Sequence, residues 1–147
     1  MNSVFLSSAP DPLILGLART MRDKKHAVFI VSTRRVAAIW REHGFHPDVP
    51  GRGWLPCKVN DLDASSYLLK RNAHVIVMNR LTGPLERTMA NVSNVRPAFV
   101  YVNPGDDPPI PTVRDPQILV MEGSKRTTRS QLISYVRSIV DLVASRP

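Results

Sequence analysis

One cysteine, Cys57, is all the sequence contains, so no disulfide can close within the chain, and a reducing compartment suits it. Long apolar runs are also missing. Runs such as Val28–Val31 and Val75–Met78 fall far short of the ~20 residues that span a bilayer, and no basic region with a following apolar stretch opens the chain. These absences lead us to expect a soluble, cytoplasmic protein without membrane contact. Acidic residues are the third shortage. Twelve Asp and Glu stand against twenty Lys and Arg, for a formal charge of +8 and a pI near 10.4. Such a field attracts acidic partners, nucleic acid among them.

Catalytic signatures are missing as well. The sequence has no GxSxG elbow, no GxxxxGKS/T loop, no GxGxxG turn and no HExxH pair, so hydrolase, P-loop, dinucleotide-fold and zincin readings lose their markers and no cofactor is expected. His43, His46, Asp48 and Cys57 do not follow a standard ligand spacing, so no metal site is assigned. Cys57 as a nucleophile would need a base brought to it by the fold, and a lone cysteine is more often simply packed. Asp106-Asp107 lies in a polar turn that needs no function.

What the sequence does contain is an alternation. With 147 residues, 43% of them hydrophobic, the chain has the size and composition of one globular α/β domain, residues 1–147. Short apolar runs alternate with stretches of helical period, which predicts a three-layer, mostly parallel five-stranded sheet of flavodoxin-like or Rossmann-like type. Val4–Leu6 is the first strand, and Asp11-Pro12 then reads as an N-cap with proline at the first helical position. Leu13, Ile14, Leu17 and Met21 form that helix's apolar face.

Ala27–Val31 is apolar throughout, as expected of a strand covered on both faces. Ser32 or Thr33 then caps a helix carrying Val36, Ile39 and Trp40, which Gly44 ends. Phe45–Asn60, rich in Pro and Gly, is mainly loop, with a short strand at Cys57–Val59 and a helix capped by Asp63 beyond it. His74–Met78 and Ala98–Val102 are strands, and a helix with Leu85, Met89 and Val92 joins them. Five prolines between Asn103 and Pro116 forbid a helix there. Gln117–Met121 is the last strand, and Thr128 with Gln131 is a capping box that opens a helix bearing Leu132, Ile133, Val136, Ile139, Val140 and Val143.

In open parallel sheets ligands bind beyond the carboxyl ends of the strands. Ser7, Ser8, Asp11, Ser32, Asn79, Thr82, Asn103, Asp106 and Lys125 lie in those loops and are the candidate ligand-binding residues. The same hydroxyl, amide and carboxylate types also cap helices, which is the structural alternative. Arg34, Arg35, Lys70, Arg71, Lys125 and Arg126 are the candidates for contact with nucleic-acid phosphates, against the plainer reading of a solvated basic surface.

Three stretches, Val4–Asp11 with its helix, Ala73–Gly83 and Pro116–Leu142, resemble a receiver domain of the response-regulator type. The resemblance implies a flavodoxin-like fold and a place for each functional group. Ser7-Ser8 stands where that family carries its magnesium-binding acidic pair, and Asn79 where it carries the phosphoacceptor aspartate. Asn103 takes the place of the hydroxyl residue, and Lys125 matches the lysine. Phosphoryl transfer to a carboxylate needs a nucleophilic oxygen and a metal to offset charge, and Ser7, Ser8 and Asn79 supply neither. The resemblance therefore implies an atypical receiver that is not phosphorylated in the usual way, a regulatory module working through protein contacts.

Three partner types remain open: another protein, nucleic acid, or a second copy of the chain. The first two strand–helix units also look like the opening of two-domain nucleotide-sugar glycosyltransferases, although the chain is too short for their second domain. That likeness keeps a phosphorylated or nucleotide-like ligand as a further reading.

Overall fold

Val4, Phe5 and Leu6 are apolar in succession because the strand they form, β1 (Asn2–Leu6), is shielded on both faces and paired along both edges. The computed structural model describes residues 1–6, 10–32, 34–49, 72–79, 98–103, 118–123 and 126–145. Around β1 stand β2 (Ala27–Val31), β3 (Val75–Met78), β4 (Ala98–Val102) and β5 (Ile118–Met121). They form one sheet, β2-β1-β3-β4-β5, parallel throughout. Phe5 pairs with Ile30 on one side and Val77 on the other, and Val77 with Val100, so these four share a face. Val4, Leu6, Ile76 and Met78 project to the opposite face and are equally buried. The second helical layer expected over that face lies outside the described residues, as do the strand at Cys57–Val59 and the helices after Asp63 and Thr82.

Three helices among the described residues cover the first face. α1 (Pro12–Asp23) starts where expected: Asp11 Oδ1 accepts from the Ile14 N–H at 2.9 Å, and Pro12 needs no donor there. Its buried stripe includes Leu15, Gly16 and Ala18 besides the expected Leu13, Ile14, Leu17 and Met21, because α1 packs against another helix as well as the sheet. That neighbour is α3 (Arg129–Ala144). Gly16 sits at the contact, where a Cβ would come within 3.2 Å of Leu132 Cδ1. The capping box of α3 is complete: Thr128 N–H donates to Gln131 Oε1 at 2.8 Å and Gln131 N–H to Thr128 Oγ1 at 3.2 Å. Val136 and Ile139 are buried, with Leu132, Val140 and Val143 partly buried against the same core.

Two expectations need correction around β2. Apolar at all five positions, it is nonetheless exposed at Ala27 and only half-buried at Val28 and Phe29. Its outer neighbour among the described residues is Asp48, whose N–H donates to Ile30 O at 2.8 Å and whose carbonyl accepts from the Ser32 N–H at 2.9 Å. Ser32 is thereby drawn into the sheet and capped helix formation is deferred. α2 (Ala37–Glu42) begins after Val36, with no side-chain cap, so neither Ser32 nor Thr33 serves as one. A six-residue helix has room for one large anchor. Trp40 is fully buried, whereas Ile39, expected beside it, is 36% exposed.

Trp40 meets Phe5 edge-on at 6.3 Å and Phe45 at 5.7 Å between ring centroids. Arg22 of α1 lies 4.3 Å over the Phe45 ring and donates to Gly44 O at 2.9 Å, tying the two helix ends together. α2 therefore packs on the same face as α1. Successive right-handed crossovers that step in one direction, from β1 to β2 to Asp48, require this.

The Trp40 indole N–H is buried without a hydrogen-bond partner among the described residues. Trp40→Phe, which removes that donor and keeps a ring, should cost less than about 1.5 kcal/mol, and Trp40→Ala about 3–5 kcal/mol. Urea unfolding of both variants checks the ordering; equal losses would refute it. Half-buried His26 titrates below its ordinary 6.5, through burial first and the positive amino terminus second. The folded chain thus favours neutral His26, while the unfolded chain takes up a proton near 6.5, so stability present above that pH is lost as the pH falls below it. Urea midpoints measured from pH 7.5 to 5 should fall less steeply in His26→Gln than in the parent.

Candidate functional site

Parallel strands deliver all their carboxyl ends to one edge, which here gathers Leu6, Val31, Met78, Val102 and Met121. The connection leaving β1 runs toward β2, and the one leaving β3 runs the other way, toward β4. The topological switch point therefore lies between β1 and β3, and a crevice for a ligand is expected there. Asn79 follows β3 at that point and is 2% exposed. Ser32, at the end of β2, is fully buried, and its backbone is engaged by Asp48. Ser7, Ser8, Thr82, Asp106 and Lys125 lie outside the described residues.

Of the expected ligand-binding residues, the structure brings Asp11 and Asn103 together. Asn103, at φ +46°, donates from Nδ2 to Asp11 Oδ2 at 3.1 Å and to Gly123 O at 3.0 Å. Its Oδ1 accepts from the Gly123 N–H at 2.9 Å, and its own N–H donates to Met121 O at 2.8 Å. Asparagine suits this position twice over. It tolerates the left-handed backbone better than other side-chain-bearing residues, and its amide offers a donor and an acceptor at once. One side chain thus joins the cap of α1 to the ends of β4 and β5.

Gly123 was not among the expected site residues. A Cβ there would lie 2.6 Å from Thr127 Oγ1 and 3.1 Å from Leu13 Cδ2, so no larger residue fits without displacement. Its only sequence signal is a glycine two residues beyond a strand. Tyr135 of α3 adds a further tie, donating from its hydroxyl to Glu122 O at 2.9 Å.

This network determines the electrostatics of the edge. Asp11 brings a carboxylate to the α1 N-terminus, where it takes the Ile14 N–H, and Pro12 has none to offer. The helix end that would otherwise attract an anion is already occupied by one. The basic candidates are dispersed. Arg34 and Arg35 are exposed after β2 and Arg126 is exposed after β5, at opposite flanks of the sheet. Four strand spacings of roughly 4.8 Å put about 19 Å between those flanks. Lys70, Arg71 and Lys125 lie outside the described residues. Among the described residues no three His, Cys, Asp or Glu side chains converge as a metal site would require.

The tether makes a distinctive prediction. Asn103→Asp removes the donor and sets a second carboxylate against Asp11, so it should cost at least about 2 kcal/mol at neutral pH, more than Asn103→Gly, which keeps the backbone free to adopt φ +46°. Urea denaturation of both variants at neutral pH checks this, and a smaller loss in Asn103→Asp than in Asn103→Gly would contradict it. No family model matches the chain, and no curated protein is significantly similar to it.

Proposed function

We propose that this chain is a non-catalytic regulatory or binding module of receiver-like order that acts through protein contacts. The strand order β2-β1-β3-β4-β5 is that of flavodoxin-like doubly wound sheets, and with Asp48 counted outside β2 the series becomes Rossmann-like. The observation that carries the reading is the chemistry at the switch point. A buried amide, Asn79, ends β3 where acyl-phosphate formation would need a carboxylate, and Ser7-Ser8 follows β1 where a metal would need acids. Both oxygens of Asp11 are already engaged, one by the Ile14 N–H and one by Asn103. What that edge offers a partner is a fixed polar surface, with Arg34 and Arg35 on one flank and Arg126 on the other supplying charge for an acidic protein or for nucleic acid.

Treatment with acetyl phosphate and magnesium should leave the intact mass unchanged, and nucleotides or sugar nucleotides should leave the melting temperature unchanged. Stoichiometric phosphorylation would overturn the proposal. So would a stabilising nucleotide: at about 100 times its Kd a ligand adds about 2.7 kcal/mol, a rise on the order of 5–10 °C for a chain of this length.

A further inference from the structure

Between α1 and α3 lies an open groove of about 350 Å³ lined by Gly16, Arg19, Thr20, Asp23, Arg129 and Leu132. We propose that this groove is a binding site for a small hydroxylated phosphomonoester. Arg19 and Arg129 come from different helices into one groove, and neither has an ion-pair partner among the described residues. Two exposed guanidiniums lining one groove favour a doubly charged, oxygen-rich anion, the kind of group that guanidinium forks bind.

The remaining groups have the opposite polarity. Thr20 has already given its hydroxyl proton to Gly16 O at 2.8 Å, so its oxygen can only accept, and Asp23 is likewise an acceptor. The groove therefore offers donors at Arg19 and Arg129 and acceptors at Thr20 and Asp23. A bare phosphate satisfies the first pair alone, whereas a phosphomonoester with hydroxyl groups satisfies both. The volume agrees, lying near the lower end of the range for small-molecule pockets and above what one phosphate needs. Leu132 and Gly16 give the floor an apolar surface for a carbon skeleton. The site is independent of the strand-end reading and would stand if that reading failed.

Amide chemical-shift titrations of the full chain test it, with inorganic phosphate, glucose 6-phosphate, glucose and a phosphoserine peptide as probes at matched ionic strength. Glucose 6-phosphate should saturably shift residues 16–23 and 129–132 and bind about tenfold more tightly than phosphate, while glucose should not bind. Arg19→Gln with Arg129→Gln should weaken inorganic phosphate and glucose 6-phosphate at least tenfold, with an unchanged melting temperature confirming the fold. Arg129→Lys, which keeps charge but not the planar fork, should weaken binding less. Asp23→Asn should remove the advantage of the sugar phosphate without weakening phosphate. Non-saturable shifts, binding undiminished in the double variant, or a phosphopeptide bound more tightly than glucose 6-phosphate would each overturn the proposal.

Discussion

β1 is paired on both edges, and this central position organises the rest of the structure. A parallel strand cannot be joined to its neighbour by a tight turn, so each of the four ladders requires a crossover, and all strand carboxyl ends meet at one edge. Because β1 is followed on one side by β2 and on the other by β3, the chain must reverse its direction of travel beside it. The switch point, the crevice and the buried position of Asn79 all follow from that reversal. Phe5 on one face supplies apolar surface against which the described helices pack, and Val4 and Leu6 on the other are equally buried.

The polar residues at that edge illustrate a competition between two uses of the same chemistry. Hydroxyls, amides and carboxylates are what a ligand needs and also what helix ends and positive-φ turns need. At Asp11, Asn103 and Gly123 the structural use prevails: each polar group is matched by another within the chain, and the α1 N-terminus carries its own anion. The groove between α1 and α3 presents the reverse case. There Arg19 and Arg129 project from two packed helices into a groove they share with Asp23, forming no ion pair among the described residues, and Gly16 lies at the helices' close contact.

Much of the fold was legible locally. Apolar runs marked β1, β3 and β4, Asp11-Pro12 marked the start of α1, and Thr128 with Gln131 marked that of α3, because caps and buried strands are set by residues within one or two turns of one another. The region after β2 was not legible. Its Pro- and Gly-rich composition reads as loop, yet Asp48 forms a bridge to Val31 that also displaces the start of α2 and leaves the first half of β2 open to solvent. Nothing local to Ser32 announces that its N–H will meet a carbonyl sixteen residues on.

The candidate site divides in the same way. Its residue types and its place at the strand ends were determined by the sequence, since alternation of strand and helix fixes where the loops fall. Which of those residues meet was decided by tertiary structure alone. Asn103 and Asp11 are ninety-two residues apart, and only the strand order sets them within 3.1 Å. Arg34 and Arg126 look equivalent as basic residues after strands, but the same order sends them to opposite flanks. Sequence separation carries no information about lateral position in a sheet, because that position depends on which strand each crossover selects as its neighbour.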